Sequence, residues 1–270
     1  RRYITSIKAT KPAYVGFSVE GSFDPVMRAV RKKIKQDLGI PVIAGGAISP
    51  FIDMKIFANL CAREHIDYFV RGPGEKALPE LIAALARKRE PINVQNAAFV
   101  RNGRVISNPV RVIDDLDKLP FPDYSGFDLD LYPIPERVLA LQTARGCTWQ
   151  RCVFCSHHAN YFNTYRRYSD DRVIETLRHL KTTYRCNKFI FHDEELPPVA
   201  ARTLSKKLIR SGLSDISLNI YARMADGFDD SRLLRRMRKA GIAAIDWGIE
   251  SGSQKVLNMM DKGTNVSSMR

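Results

Sequence analysis

Apolar residues in the first ninety positions fall into two alternating kinds of segment. Ala13 to Val19 (AYVGFSV), Pro41 to Ala44 (PVIA) and Asp67 to Val70 (DYFV) are short and almost unbroken, the pattern of parallel strands covered on both faces. Val26 to Leu38, Asp53 to Arg63 and Lys76 to Lys88 carry apolar residues three and four apart, the period of amphipathic helices. The alternation predicts a β/α series around a mostly parallel sheet. Ala97 to Ser107 (AAFVRNGRVIS) sets Asn102-Gly103 between two apolar arms, which predicts a hairpin at the edge of that sheet. From Asn108 to Glu136 the period disappears, and Pro109, Pro120, Pro122, Pro133 and Pro135 mark a semi-rigid linker.

A second alternating series follows. Strands are predicted at Val138 to Thr143, Lys188 to His192, Ile216 to Tyr221 and Ala243 to Ile249. Helices are predicted from about Asp171, Val199, Ser231 and Ser253, with Gly241 capping the third. The organisation expected is therefore an α/β domain over 1–95, a hairpin and linker over 96–136, and a second β/α domain over 137–270. A complete eight-unit barrel takes about 250 residues, so the second domain holds about four units. The chain opens on Arg1 and stops inside a predicted helix, so a fragment of a longer protein is expected, lacking both ends.

Ligands of such sheets collect at the carboxyl ends of the strands. In the first series those ends carry Ser18, the pair Gly45-Gly46, and Arg71-Gly72-Pro73-Gly74-Glu75. Paired glycines let a backbone approach a bulky ligand, and they serve equally well merely to turn the chain. In the second series the ends carry a cysteine loop, His192-Asp193-Glu194-Glu195, Ala222-Arg223-Met224 and Gly248-Ile249-Glu250-Ser251-Gly252. The carboxylates have a plainer reading as helix N-terminal caps.

Three of the five cysteines sit in that loop, Arg145-Gly146-Cys147-Thr148-Trp149-Gln150-Arg151-Cys152-Val153-Phe154-Cys155-Ser156-His157. A closed zinc site needs four ligands and would have to recruit His157, His158 or a distant residue. A plant-type ferredoxin centre has the same C-x4-C-x2-C spacing with a fourth cysteine further on, and Cys186 is available. Cys186, however, precedes a strand whereas the loop follows one, and in a β/α array these positions lie at opposite ends of the sheet. The reading left is an iron–sulfur cluster on Cys147, Cys152 and Cys155 with one metal position open to a ligand. Histidines beside such a cluster are most often hydrogen-bonded bystanders.

At this point the residues resemble the radical S-adenosylmethionine (radical SAM) superfamily. Its usual motif is C-x3-C-x-aromatic-C, and Phe154 fills the aromatic place. The longer first interval, with Gly-Cys-x-Trp, is similar to a variant in members that also carry a cobalamin (B12)-binding domain. Ser18 and Gly45-Gly46, 27 positions apart, resemble the serine and glycine pair of that domain, although its Ser-x-Leu here reads Ser18-Val19-Glu20. Its upstream Asp-x-His-x-x-Gly segment would lie before Arg1. Leu119-Pro120-Phe121-Pro122-Asp123-Tyr124 resembles the connector between the two domains.

The resemblance implies a flavodoxin- or Rossmann-like B12-binding domain followed by a partial TIM barrel. It implies a [4Fe-4S] cluster that cleaves S-adenosylmethionine reductively, and cobalamin used for methyl transfer to an unactivated carbon. It places Phe154, Asp193, Glu194, Arg223, Glu250 and Ser251 at S-adenosylmethionine, and Ser18, Gly45, Gly46, Gly72 and Glu75 at cobalamin. Asp193 and Glu194 stand where the superfamily has Gly-Gly-Glu, and Arg223 is suited to a carboxylate because a guanidinium grips one bidentately. The partners implied are a small-molecule or peptide substrate and an electron donor such as flavodoxin or ferredoxin.

Charge changes this picture little. Lys and Arg outnumber Asp and Glu 43 to 29, a net +14 that suits nucleic acid. The basic residues are spread along helical runs such as Arg28, Arg31, Lys32, Lys33, Lys35 and Arg232, Arg235, Arg236, Arg238, Lys239, which read as solvated faces. No apolar run of about twenty residues occurs, and clustered cysteines suit a reducing, cytoplasmic setting. Two other functions compete. A tRNA methylthiotransferase calls for a second cysteine set in the first domain, where Cys61 stands alone. A non-enzymatic electron carrier calls for a fourth thiolate.

Overall fold

A computed structural model of the chain describes residues 2–20, 23–132, 136–157, 164–213, 215–224 and 227–269. His158, Pro133 and Pro135 lie outside the described residues. The chain divides into two compact units, Arg1–Ile113 and Asp114–Arg270.

The first unit is built on a five-stranded sheet in the order β1-β2-β3-β4-β5. β1 (Val15–Ser18), β2 (Val42–Gly45) and β3 (Tyr68–Val70) run parallel, while β4 (Ala97–Arg101) and β5 (Arg104–Ser107) form the predicted hairpin and extend the sheet antiparallel from β3. The hairpin's ladder bonds to β3 place it in this unit, so the 96–136 segment divides near 113 instead of standing apart. β1 is an edge strand and alternates half-buried with exposed residues, unlike the continuous burial expected of it.

Successive residues of β2 face opposite layers. Val42 and Ala44 pack with Ile34 of α2 (Pro25–Leu38) and Phe57 of α3 (Phe57–Glu64), and Ile43 packs with Ala77 and Leu81 of α4 (Gly74–Ala86). α2 begins where Asp24 accepts the Val26 N–H and Pro25 supplies a preset φ, and ends at Gly39 in the left-handed region. α3 starts four residues later than its apolar period predicts, because the Asp53 carboxylate accepts the Lys55 N–H and makes a turn first. α1 (Arg2–Thr10) has no counterpart in the sequence reading; among its described side chains Ile4 is the buried one.

One basic residue corrects the reading of its run as a solvated face. Arg31 is buried, and its guanidinium meets the buried Glu64 carboxylate at 2.6 Å. Arg28 Nη2 joins the same carboxylate at 2.9 Å. A period-based reading cannot anticipate this, since the carboxylate that makes burial tolerable comes from another helix.

The second unit has a fully parallel sheet in the order β11-β10-β9-β6. Its strands are β6 (Val138–Leu141), β9 (Lys188–Phe191), β10 (Ser217–Arg223) and β11 (Ile242–Gly248). α5 (Asp170–Tyr184), α6 (Pro198–Arg210) and α7 (Ser231–Lys239) connect them in turn, and α8 (Gln254–Met259) follows the last. Leu139, Leu141, Phe189, Phe191, Leu218 and Ile220 share one core with Leu177, Leu204 and Leu233 of the three connecting helices. The helices thus cover one face, as in a barrel wall. The segment read as a semi-rigid linker packs on α5: Phe121 stacks on His179 at 4.7 Å, and Tyr184 donates its hydroxyl to Asp123.

A third, two-stranded sheet was not foreseen. β7 (Ala144–Arg145) pairs antiparallel with β8 (Arg166–Arg167), closing the base of the loop that carries the cysteines. Gly146, at φ 85°, follows this pairing, and a Cβ there would lie 1.9 Å from the Thr164 carbonyl oxygen.

Candidate functional site: a cysteine-lined cavity and a glycine-lined cleft

The carboxyl end of the second sheet opens into a cavity of about 350 Å³. Cys147, Cys152 and Cys155 all line it, with Phe154 and His157 from the same loop. From the strand ends come Asp193, Glu194, Arg223, Gly248 and Glu250. The structure therefore brings together all three predicted metal ligands and five of the six residues assigned to S-adenosylmethionine. Ser251 is the sixth, and its hydroxyl accepts the Ser253 N–H in a local turn away from the lining.

The three thiols are free. The Trp149 N–H donates to Cys147 Sγ at 3.3 Å, the kind of contact that stabilises a thiolate bound to metal. Among the described residues no trio of Cys, His, Asp or Glu closes to the spacing of a single metal ion. Three free thiols from one loop lining one cavity are the soft donor set that an iron–sulfur cluster takes. Burial, with Glu195 beside it, pushes the Cys147 thiol up to about 11, and burial raises Cys152 against the pull of Lys262. Metal loading at these sulfurs consequently releases protons.

The carboxylates after β9 do not cap α6, whose N-cap is Pro197 without a side-chain bond. They bind the cysteine loop instead. Asp193 accepts the N–H groups of Thr143 and Ala144 at 2.7 and 3.1 Å and the Thr143 hydroxyl. Glu194 accepts the Gly146 N–H at 3.2 Å and sits 3.6 Å from His157, and this neighbouring carboxylate raises the imidazole's pKa. Glu195 accepts the Thr148 N–H at 2.7 Å and the Thr148 hydroxyl. Three consecutive side chains thereby fix the backbone from 143 to 148. Asp193 is 5 % exposed, and burial pushes its carboxyl up to about 7 despite these donors.

Two contributors escaped the sequence reading. Glu195 was quoted only as part of its strand end. Lys262, beyond the last predicted strand, is buried at the cavity wall, bonds Glu250 at 2.8 Å and sits 5.7 Å over the Phe154 ring. A lysine followed by Gly263 after a short helix carries no local signal of such a role. Cys186 lies at the amino ends of the strands, its thiol donating to the carbonyls of Arg137 and Lys188 at 3.1 Å each, and does not line the cavity.

The first unit has a cleft of about 340 Å³ at the carboxyl ends of β1, β2 and β3. Ser18, Gly45, Gly46 and Gly72 line it, and Gly16 and Gly74 add two more bare positions. Glu75 is exposed in the first turn of α4, outside the lining. Ser18 donates its hydroxyl to Glu20 at 2.8 Å. Gly46 answers to the chain itself: at φ 103°, a Cβ would sit 2.6 Å from the Val19 carbonyl oxygen. At Gly16 a Cβ would meet nothing within 4 Å, so protein packing does not demand that glycine and the space beyond it is open to a ligand.

No family model matches the chain. Its structure superposes on the cobalamin-dependent S-adenosylmethionine radical enzyme OxsB, solved with aqua-cobalamin and S-adenosylmethionine bound. The TM-score is 0.77 at 20% identity, covering 99% of this chain and 39% of that one. The chain has the fold of the cobalamin-dependent radical SAM enzymes. The radical S-adenosylmethionine methyltransferase TsrM from Kitasatospora setae matches with a TM-score of 0.76 at 18% identity, over 97% of this chain and 54% of that one. In sequence, an uncharacterized methyltransferase of Pyrococcus horikoshii is 33% identical over 204 residues, 73% of this chain. The chain spans 43% of the length of that relative. In this chain the cysteine loop follows β6, the first strand of the second sheet, and the glycine-lined cleft belongs to the first unit. Among the described residues, no helix is long and apolar enough to cross a membrane.

Proposed function

We propose that the chain is the cofactor-binding portion of a radical SAM enzyme. In this reading Cys147, Cys152 and Cys155 hold a [4Fe-4S] cluster, S-adenosylmethionine occupies the cavity beside them, and cobalamin rests on the glycines of the first unit. The observation that carries it is the meeting of three free thiols with a braced loop and a guanidinium in one cavity at the carboxyl ends of parallel strands. The likeness of one relative to a methyltransferase by name, and of TsrM by fold, supports methyl transfer to an unactivated carbon of a small molecule or peptide.

When bound, the cluster supplies the single electron that breaks a sulfonium carbon–sulfur bond, and cobalamin supplies a methyl carrier. The chain's own residues bind and orient. Asp193, Glu194 and Glu195 hold the loop backbone so that the thiols keep their places. Arg223, 13% exposed, offers its guanidinium to the carboxylate of the methionyl group. Glu250, tethered by Lys262, faces the cavity as an acceptor for hydroxyl or ammonium groups.

The test is anaerobic reconstitution of the chain with iron and sulfide, followed by reductant and S-adenosylmethionine. About four irons per chain and release of 5′-deoxyadenosine are expected. Loaded protein that leaves S-adenosylmethionine intact would sink the enzymatic reading. Cys186→Ser is expected to leave iron content unchanged, whereas an electron carrier with a fourth thiolate there would lose its cluster.

A further inference from the structure

Trp149, two residues past the first cysteine, packs between Arg223 of the cavity wall, Arg151 and the turn over 260–263. Its indole N–H donates to the Asp261 carbonyl oxygen at 2.6 Å. The Arg223 guanidinium carbon lies 4.8 Å from the ring centroid, and that of Arg151 lies 4.7 Å from it. Gly263 is pressed against the ring so closely that a Cβ would fall 2.1 Å from Cζ2. The Val153 N–H also reaches the Met260 carbonyl at 3.0 Å, and Arg151 pairs with Asp261 at 3.0 Å, so the loop and the turn over 260–263 are joined at three points.

Arg223 has few other restraints. Its Nη1 donates to the Gly263 carbonyl oxygen at 3.1 Å, and its Nε stands 3.5 Å from Glu195, too far and too poorly aimed for a hydrogen bond. A flexible side chain with one hydrogen bond and one loose ion pair keeps its direction only if something flat supports it. An indole face does so, because guanidinium planes stack on aromatic rings and are attracted by their quadrupole.

We infer that Trp149 is a positioning residue: its indole face, itself locked by Asp261 and Gly263, aims the Arg223 guanidinium into the cavity to receive an anionic group. The inference rests on the reading of that cavity as the S-adenosylmethionine site, and the group received is then the methionyl carboxylate. Trp149 does not touch the reacting atoms. Its effect passes through Arg223, so it changes how tightly the ligand is held without changing how much iron the cysteines hold. The chain has two tryptophans, which makes the arrangement directly observable.

The experiment uses cluster-reconstituted protein carrying Trp247→Phe, so that Trp149 is the sole indole emitter. Addition of S-adenosylmethionine is expected to shift the Trp149 emission, because the cation on its face acquires a counter-charge. Trp149→Leu is expected to weaken S-adenosylmethionine binding, read by equilibrium dialysis, about ten-fold at unchanged iron content. Trp149→Phe, which keeps an aromatic face and fits the same space, is expected to recover most of that loss. In an Arg223→Ala background, replacing Trp149 with Leu is expected to add little, since coupled residues are not additive.

Four results would overturn the inference while leaving the cavity's assignment intact. They are binding equally tight in all Trp149 variants, emission indifferent to bound S-adenosylmethionine, full additivity with Arg223→Ala, and iron lost in proportion to affinity. If Trp149→Leu does not fold, the emission shift and the Trp149→Phe variant decide. Failure of the loaded parent to bind S-adenosylmethionine at all would instead overturn the assignment of the cavity.

Discussion

The two units make their ligand-facing ends from opposite materials. In the first, the carboxyl ends of β1, β2 and β3 carry few polar side chains, and five glycines line the cleft beside Ser18, Val70 and Leu78. In the second, the same ends of a parallel sheet are crowded with ionisable groups, three of which are spent on holding one loop. Both designs leave open space at the carboxyl ends of a parallel sheet. A cleft of bare backbone gives room and close approach, while a network of carboxylates gives donors a fixed geometry at the cost of burying charge. The contrast teaches that parallel topology decides where a site lies, and local chemistry decides what it can hold.

The comparison can be broken most sharply at its glycines. Gly146→Ala puts a methyl group into the Thr164 carbonyl at positive φ, and a loss of about 3 kcal/mol or more is expected in denaturant unfolding of the second unit, together with loss of iron uptake. Stability and iron content both at wild-type level would show that the loop does not need the β7–β8 closure.

A smaller effect is expected from pH. The Asp193 carboxyl titrates at about 7 in the folded chain and near 4 when unfolded, so the fold binds the extra proton between those values. Stability is therefore greatest below about pH 4 as far as this group is concerned, and falls as pH rises towards 7, by about 2–4 kcal/mol at most. Asp193→Asn keeps an acceptor for both backbone N–H groups and removes the titration, so its unfolding free energy should lack this slope. An identical slope in the variant would assign the dependence to other groups.

The gentlest test separates the two roles of glycine in the first unit. Gly16→Ala is expected to change stability by less than about 0.5 kcal/mol, since its Cβ enters open space, yet to weaken corrinoid retention in a binding assay. Gly46→Ala is expected to cost about 2–3 kcal/mol whether or not a corrinoid is present, because it strikes the Val19 backbone. Equal corrinoid binding by Gly16→Ala and the parent would leave the cleft without a role for its bare floor.

Much of the fold was legible residue by residue. Short apolar runs and amphipathic periods located seven of the parallel strands and the helices between them, because each such segment must bury one stripe or face wherever it ends up. The Asn102-Gly103 turn was equally local. The misses share a physical cause. β7 and β8 are two residues each and pair across the whole cysteine loop, so no window of sequence contains both. The burial of Arg31 depends on Glu64 from the next helix, and α3 began late because one aspartate competed for its first turn. In the site, the cysteine spacing announced itself, whereas Lys262 beside Glu250 and Trp149 against Gly263 join residues that only folding makes neighbours.

By itself, then, the order of residues determined the layered α/β architecture, the end of each sheet at which ligands collect, and the three thiols offered there. These follow from periodicity and from chemistry carried within a few positions of chain. Only the tertiary structure decided which carboxylates brace the loop, which lysine neutralises Glu250 and what holds Arg223 in place. Such pairings arise from distance in space, and hydrogen bonds and ion pairs at about 3 Å are indifferent to separation along the chain.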